Sequence, residues 1–315
     1  MTPCDAFYSH AALVDLSSRG RILATGEDRK RLLHALTTNQ VEKLPAGQGV
    51  YAFFLNAQGR VLADSILICR EDALLISVEP DVRDSIYSHI DRYIIADDVT
   101  LSGITASTCE LALEGPQSAS ILSSLGAPLP TDPYSFTHWN GIGIIFASST
   151  GAPAYRLIAP IEQFESLTAS LVAAGAVPAS SADQEIVRIE HGTPRYGIDI
   201  TESCIPQETG LMHALSFNKG CYLGQEIVER VRSRGHVNRL LTHLSIDAST
   251  PSAPGAKIIA QGKEGTSREV GEITSAALSP RHGGVRALAY VRAEALASAA
   301  PLTVDSAPAK PVQQL

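Results

Sequence analysis

Apolar residues recur at helical spacing over Glu27–Leu36, where Leu32, Leu33 and Leu36 share one side. Asp81–Ile95 repeats the pattern, with Val82, Ile86, His89, Ile90 and Tyr93 on one face. Between them, Gly49–Leu55 and Arg60–Cys69 are β-rich runs around Asn56-Ala57-Gln58-Gly59, a hairpin signal. Ala73–Val78 and Val99–Ile104 add two further strands. This mixed order predicts an α+β layer with an antiparallel sheet, not a doubly wound parallel one.

A second set follows. Cys109–Leu113 reads as a strand, and Gly115-Pro116 opens a helix that reaches Leu125. Ala127–Tyr134 is a Pro-rich loop, and Ile142–Ala147 with Ala154–Ile158 forms a strand pair. Helices are predicted over Ile161–Ala174, ending at Gly175, and over Ala182–Glu190, ending before Gly192 and Pro194. His191–Asn218 has weak periodicity, and loops of that length are usually functional or disordered.

From Leu240 to Val291 short strands alternate with Gly and Pro turns, which predicts a small β-barrel or sandwich. Ala295–Leu315 is rich in Ala, Pro and Ser and is expected to fray. The expected domains are 1–105, 106–239 and 240–294, followed by a flexible tail, 295–315.

Composition narrows the classes. The 315 residues are 44% hydrophobic and 18% charged, a globular balance, and no apolar run approaches a membrane span. Met1–His10 lacks a basic or apolar leader, so a cytoplasmic location is expected. A net charge of −8 argues against nucleic-acid binding. The five cysteines are widely spaced without a CxxC pair, so no metal site is expected and most thiols should be buried and reduced.

The densest segment is Phe217-Asn218-Lys219-Gly220-Cys221-Tyr222-Leu223-Gly224-Gln225-Glu226. Its glycines suggest a tight turn delivering Cys221 to a helix N-terminus, where backbone N–H groups and Lys219 would favour a thiolate. A buried Cys packed beneath a Gly turn suits the same spacing. Arg230, Arg232, Arg234 and Arg239 follow closely and could grip a carboxylate or phosphate, or pair with Glu226 and Glu229 on a solvated face.

Lys219-Gly220-Cys221-Tyr222-Leu223-Gly224-Gln225-Glu226 resembles the KGCYxGQE signature of the YgfZ-type folate-binding family, relatives of the glycine-cleavage T-protein. Tyr51–Arg60 is similar to the family's N-terminal hairpin, Arg195–Ile200 and Pro206-Gln207-Glu208 to its approach to the motif, and Gly271–Ser275 with Ala287–Val291 to its C-terminal barrel. The resemblance implies a three-domain ring around a central folate channel with a C-terminal β-barrel. It also implies tetrahydrofolate as cofactor and a role as accessory protein in assembly or repair of iron–sulfur clusters for [4Fe–4S] enzymes, including tRNA-modifying ones. The alternative is a folate-dependent aminomethyltransferase or other one-carbon transferase.

On this view Cys221, Lys219 and Asp64 carry the chemistry. Tyr51, Phe53, Asn56, Glu208, Tyr222, Gln225, Glu226, Arg232 and Arg239 contact the cofactor, and iron–sulfur client or assembly proteins are the partners of a monomer. His191 and His213 could approach Cys221 as a Cys–His pair. Two departures stand out. T-protein relatives carry a paired Asp-Asp where this chain has Ala63-Asp64, and a pterin-holding Glu where it has Ala152.

Overall fold

A computed structural model describes residues 2–262 and 266–312. The chain begins with α1 (Pro3–Ser9), β1 (Ala12–Asp15), β2 (Gly20–Thr25), α2 (Arg29–Leu36), β3 (Gly49–Leu55), β4 (Val61–Cys69) and β5 (Ala73–Val78). It continues through α3 (Arg83–Asp91), β6 (Thr100–Gly103), β7 (Thr108–Glu114), α4 (Ser118–Ser124), β8 (Phe136–Trp139) and β9 (Ile142–Phe146). Next come β10 (Ala154–Pro160), α5 (Phe164–Ala173), β11 (Val177–Pro178) and α6 (Ser181–Glu190). A mostly irregular connection leads to α7 (Gln225–Arg234). The C-terminal part comprises β12 (Arg239–Ile246), β13 (Lys257–Gln261), β14 (Ser267–Leu278), β15 (Val285–Arg292), α8 (Ala293–Ala297), β16 (Leu302–Val304) and β17 (Ala307–Pro311).

The expected α+β class is what forms. A five-stranded antiparallel sheet, ordered β3-β4-β5-β2-β6, buries Leu33, Phe54, Leu67 and Ile76 against α2 and α3. A six-stranded sheet, ordered β11-β1-β7-β10-β9-β8, buries Leu113, Ile144 and Leu157 against α4 and α5. The other faces meet through Ile66, Ile68, Leu75, Ile145 and Ala147. The C-terminal strands close a barrel in the order β12-β15-β14-β13-β16-β17 around Val270, Val285 and Val304.

Three expectations are corrected. First, Ala12–Asp15 carried no strand signal, yet β1 pairs with β7 and β11 at the heart of the second sheet. The chain therefore starts in the second sheet before building the first, and a boundary at residue 105 divides one sheet in two. β1 is buried on three of its four positions and β2 on its first three, so neither shows the alternation of a half-exposed strand along its whole length.

Second, the Cys segment does not belong with the second sheet. Leu223 N donates to Ala35 O at 2.9 Å, and Gly224 lies against the β3–β4 turn. Third, Ala295–Pro311 is not a frayed tail, because β16 and β17 complete the barrel. Leu302, Val304 and Ala309 point inward, and Asp305-Ser306 make the turn with φ of 48° and 70°. Two positive φ values match a type I′ hairpin, but without the usual Asn-Gly the turn is silent in sequence. The end of the expected tail, 313–315, lies outside the described residues.

Candidate functional site

A cavity of about 670 Å³ lies between the two sheets, a size suited to a cofactor. Its walls come from β3 and β4, the loop before β10, one side of α6 and the connection that follows. Asp64 sits on β4, directly across from Phe53 on β3, and is buried. Its Oδ2 accepts a hydrogen bond from Tyr51 Oη at 2.7 Å, while its buried Oδ1 has no partner among the described residues. Burial, then the nearby Glu79, raises the Asp64 pKa against the pull of Arg19 and Arg156. Burial and the Asp64 charge likewise push the Tyr51 phenol well above its ordinary value.

Cationic groups stand beside this carboxyl. Arg19 pairs with Glu79, whose other oxygen accepts from Arg195 Nε at 3.1 Å. Arg156, on β10, is buried and donates from Nη2 to Ser149 Oγ at 2.9 Å. Its Nη1 stands 3.6 Å from Glu110 Oε1, and neither Nε nor Nη1 makes a hydrogen bond among the described residues. The buried Glu114 fixes the adjoining loop, accepting from Thr150 Oγ1 and, at 3.3 Å, from Ser149 N. Burial raises its pKa.

The aromatic wall is Tyr51, stacked on Tyr134 at 6.2 Å between centroids, with His213 5.3 Å from Tyr51. Tyr134 holds φ +61°, a left-handed backbone that a bulky side chain rarely adopts without a reason in its surroundings. A pteridine ring needs flat apolar faces and hydrogen-bonding partners for its edge. The Tyr51–Tyr134 wall and the orphaned Asp64 Oδ1 supply both, so these residues fit a folate. Ala152 also lines the cavity and offers no side-chain acceptor, as its sequence predicted.

Of the twelve site residues expected from sequence, the cavity gathers Tyr51 and Asp64. Phe53 is fully buried in a cluster with Tyr222, Val228 and Tyr290, so both residues pack the core. Asn56 is a turn residue, its Oδ1 accepting from Gln58 N and Arg60 N at 3.0 Å each. Gln225 Oε1 accepts from Tyr222 N at 3.3 Å, and Glu226 is exposed. Arg232 pairs with Glu229 at 3.3 Å and lies 4.4 Å over the Phe217 ring, away from the cavity lining. Arg239 pairs with Glu208 at 3.2 Å and covers Tyr290, and both line a separate open cleft of about 750 Å³ against the barrel.

Lys219 and Cys221 part company. The buried Lys219 Nζ donates to the carbonyls of His34, Thr37 and Asn39, the last at 2.9 Å. It thereby closes the C-terminal end of α2. Burial pushes its pKa down to about 7, with Glu42 opposing. Three carbonyl acceptors require the three donors of an ammonium, so the geometry favours the charged form. Cys221 is exposed and precedes α7 by several residues, with Gly224 as the N-cap, so it does not sit in the first turn of that helix. His191 and His213, which could have approached Cys221, lie elsewhere: His191 Nδ1 contacts Thr150 O at 2.9 Å, and both histidines line the cavity. Cys69, Cys109 and Cys204 are buried, Cys4 is partly buried, and all five thiols are free.

Arg19, Glu79, Glu114, Tyr134 and Arg156 escaped the sequence reading. They come from five separate elements or loops, and no local spacing links them. A charged residue inside an apolar run, as at Glu114 and Arg156, was the one available sign.

Residues 2–219 match the GCVT N-terminal domain, and residues 239–313 match the glycine cleavage T-protein C-terminal barrel domain. The chain is 32% identical to a putative chloroplastic transferase of Arabidopsis thaliana, over 95% of this chain and 69% of that one. It is 30% identical to an aminomethyltransferase of Rubrobacter xylanophilus, over 92% of this chain and 78% of that one. Its fold is that of the glycine cleavage system aminomethyltransferase T from Bartonella henselae, with a TM-score of 0.88 at 21% identity, covering 99% and 88% of the two chains. Among the described residues, no helix is long and apolar enough to cross a membrane.

Proposed function

Because the chain belongs to the glycine cleavage T-protein family, we propose that it binds a reduced folate between its two sheets and acts as a YgfZ-type accessory protein in the cytoplasm. Its task on this reading is assembly or repair of iron–sulfur clusters in [4Fe–4S] enzymes, tRNA-modifying ones among them. The observation that carries the proposal is the separation of two features. The cavity keeps a folate-sized space with Asp64 and Tyr51, while Cys221 is exposed outside the cavity lining. A thiol placed there meets a partner protein, not the bound ring.

The Tyr51–Tyr134 wall would lie against the folate ring, and Asp64 would take a ring N–H. A bound tetrahydrofolate supplies a carrier for one-carbon units. Calorimetry with tetrahydrofolate tests the first half: Asp64→Ala should weaken binding roughly tenfold or more, the cost of one lost charge-assisted hydrogen bond, and Cys221→Ser should not. Activity of a [4Fe–4S] client enzyme in cells tests the second: Cys221→Ser should lower it. Full client activity with that variant would sink the accessory role.

One observation favours a second reading, a folate-dependent one-carbon transferase. A buried carboxyl of raised pKa is suited to hold or move a proton in a cavity. That reading requires turnover of an amine substrate, lost in Asp64→Asn. Absence of turnover with tetrahydrofolate bound would exclude it.

A further inference from the structure

Among the described residues, Arg156 is the one cavity-lining cation with two buried nitrogens that make no hydrogen bond. Its Nη2 is committed to Ser149, its Nη1 faces Glu110 Oε1 across 3.6 Å, and its Nε has no hydrogen bond among the described residues. A buried guanidinium donor without an acceptor is costly, and Arg156 is a residue of the cavity lining. Its charge also acts on the Asp64 carboxyl and the Tyr134 hydroxyl, so the three groups share one neighbourhood. Ala152, on the same wall, adds no acceptor to offset the donors.

These groups are not equivalent in what they demand. A carboxyl can accept, or donate when protonated, and a phenol can do either. A guanidinium only donates. Arg156 therefore sets a requirement that its neighbours cannot relax: the ligand edge that meets it must be an acceptor. A ring carbonyl satisfies this, and an exocyclic amino group at the same ring position opposes it.

Resting on the folate reading above, we infer that Arg156 is a specificity-determining residue, which admits pteridines bearing a 4-oxo group and rejects those bearing a 4-amino group. Asp64 then takes the N–H beside that carbonyl. The lactam edge, an N–H next to a C=O, is matched by an acceptor next to a donor.

The test is anaerobic calorimetric titration of the full-length protein with tetrahydrofolate and with its 4-amino counterpart, tetrahydroaminopterin. The wild type should bind the 4-oxo compound more tightly by roughly tenfold or more, as expected when a buried charged donor is left unpaired. Arg156→Lys keeps a donor-only cation and should keep the order of preference. Arg156→Gln, whose amide can turn either way, should bring the two affinities to within about threefold. Thermal unfolding confirms that each variant is folded. Equal affinity of the wild type for both compounds overturns the inference, even if either variant fails to fold. Undiminished preference in folded Arg156→Gln overturns it as well. In both cases the folate reading survives. Binding of neither compound by the wild type overturns that reading and this inference together.

Discussion

Tyr51 donates a 2.7 Å hydrogen bond to one oxygen of Asp64 and leaves the other oxygen buried without a partner among the described residues. Tyr51 and Asp64 stand on neighbouring strands with Phe53 directly across from Asp64, so the pair is fixed by sheet register. It joins an aromatic wall to an incompletely satisfied acid, the combination on which the folate reading rests.

The first consequence concerns pH. Asp64's folded-state pKa lies above the ordinary aspartate value, chiefly through burial and then Glu79. Between the unfolded and folded values, the native state holds a proton that the unfolded chain has released. Stability therefore falls as pH rises through that window, and the effect is absent below it. Asp64→Asn keeps an acceptor for Tyr51 and removes the titration. Its Tm at neutral pH should exceed the wild type's by about 2–4 °C. Thermal melts at pH 4 and pH 7.5 check this, and the difference should shrink toward the acid end.

Lys219 should behave as a structural residue. Lys219→Met leaves the carbonyls of His34, Thr37 and Asn39 without their donor and should cost about 2–4 kcal/mol in urea unfolding. The iodoacetamide rate of Cys221 in the folded variant should stay close to the wild-type rate. A large fall in that rate would return Lys219 to the role of thiol activator.

Gly224 carries φ +81°, and a Cβ there would meet Asn56 O at 2.7 Å. The glycine lets α7 dock on the β3–β4 turn, where Gly59 in turn faces Ile227. Gly224→Ala should destabilise the protein by about 1–3 kcal/mol, measured by urea unfolding. An unchanged midpoint would show that the docking tolerates a side chain.

Asp199 ties the barrel to the rest. One of its oxygens accepts from Arg188 Nη1 at 2.7 Å, and the other from Ser275 Oγ at 2.7 Å and Thr274 Oγ1 at 2.5 Å. Asp199→Ala removes one of the two carboxylate partners of Arg188, which keeps Glu185 and Thr193 O, and leaves the Ser275 and Thr274 hydroxyls without their acceptor, so it should cost about 2–4 kcal/mol. Hydrogen exchange should show the loss of protection in β14 as well as α6. Protection lost in α6 alone would mean that the barrel is held by other contacts.

Thiol accessibility should separate the cysteines. Cys221 is exposed, while burial and Asp183 push the Cys4 thiol up to about 12. Native protein should release one fast equivalent with an aromatic disulfide reagent, and Cys221→Ser should abolish it. Several fast equivalents would contradict the burial of Cys69, Cys109 and Cys204.

The sequence by itself determined the α+β class, the β3–β4 hairpin, most helices and the start of the barrel. These depend on short-range periodicity and turn chemistry, which a reader of one chain can see. The hairpin reading singled out Tyr51 and Asp64, and the resemblance to T-protein relatives singled out Ala152; all three line the cavity. Tertiary structure alone decided the rest. β1 joins β7 across nearly a hundred residues, and β16–β17 close a barrel from a stretch whose composition reads as a tail. The densest motif was misplaced for the same reason. Its Lys, Tyr and Gly look chemical in a line of text, yet Lys219 spends its charge on α2, Tyr222 fills the core, and Gly224 admits a neighbouring backbone. Arg19, Glu79 and Arg156 on the cavity wall, and Glu114 behind the adjoining loop, carry little local signal in sequence. Burial and mutual proximity give them their properties, and both are long-range consequences of how the two sheets pack.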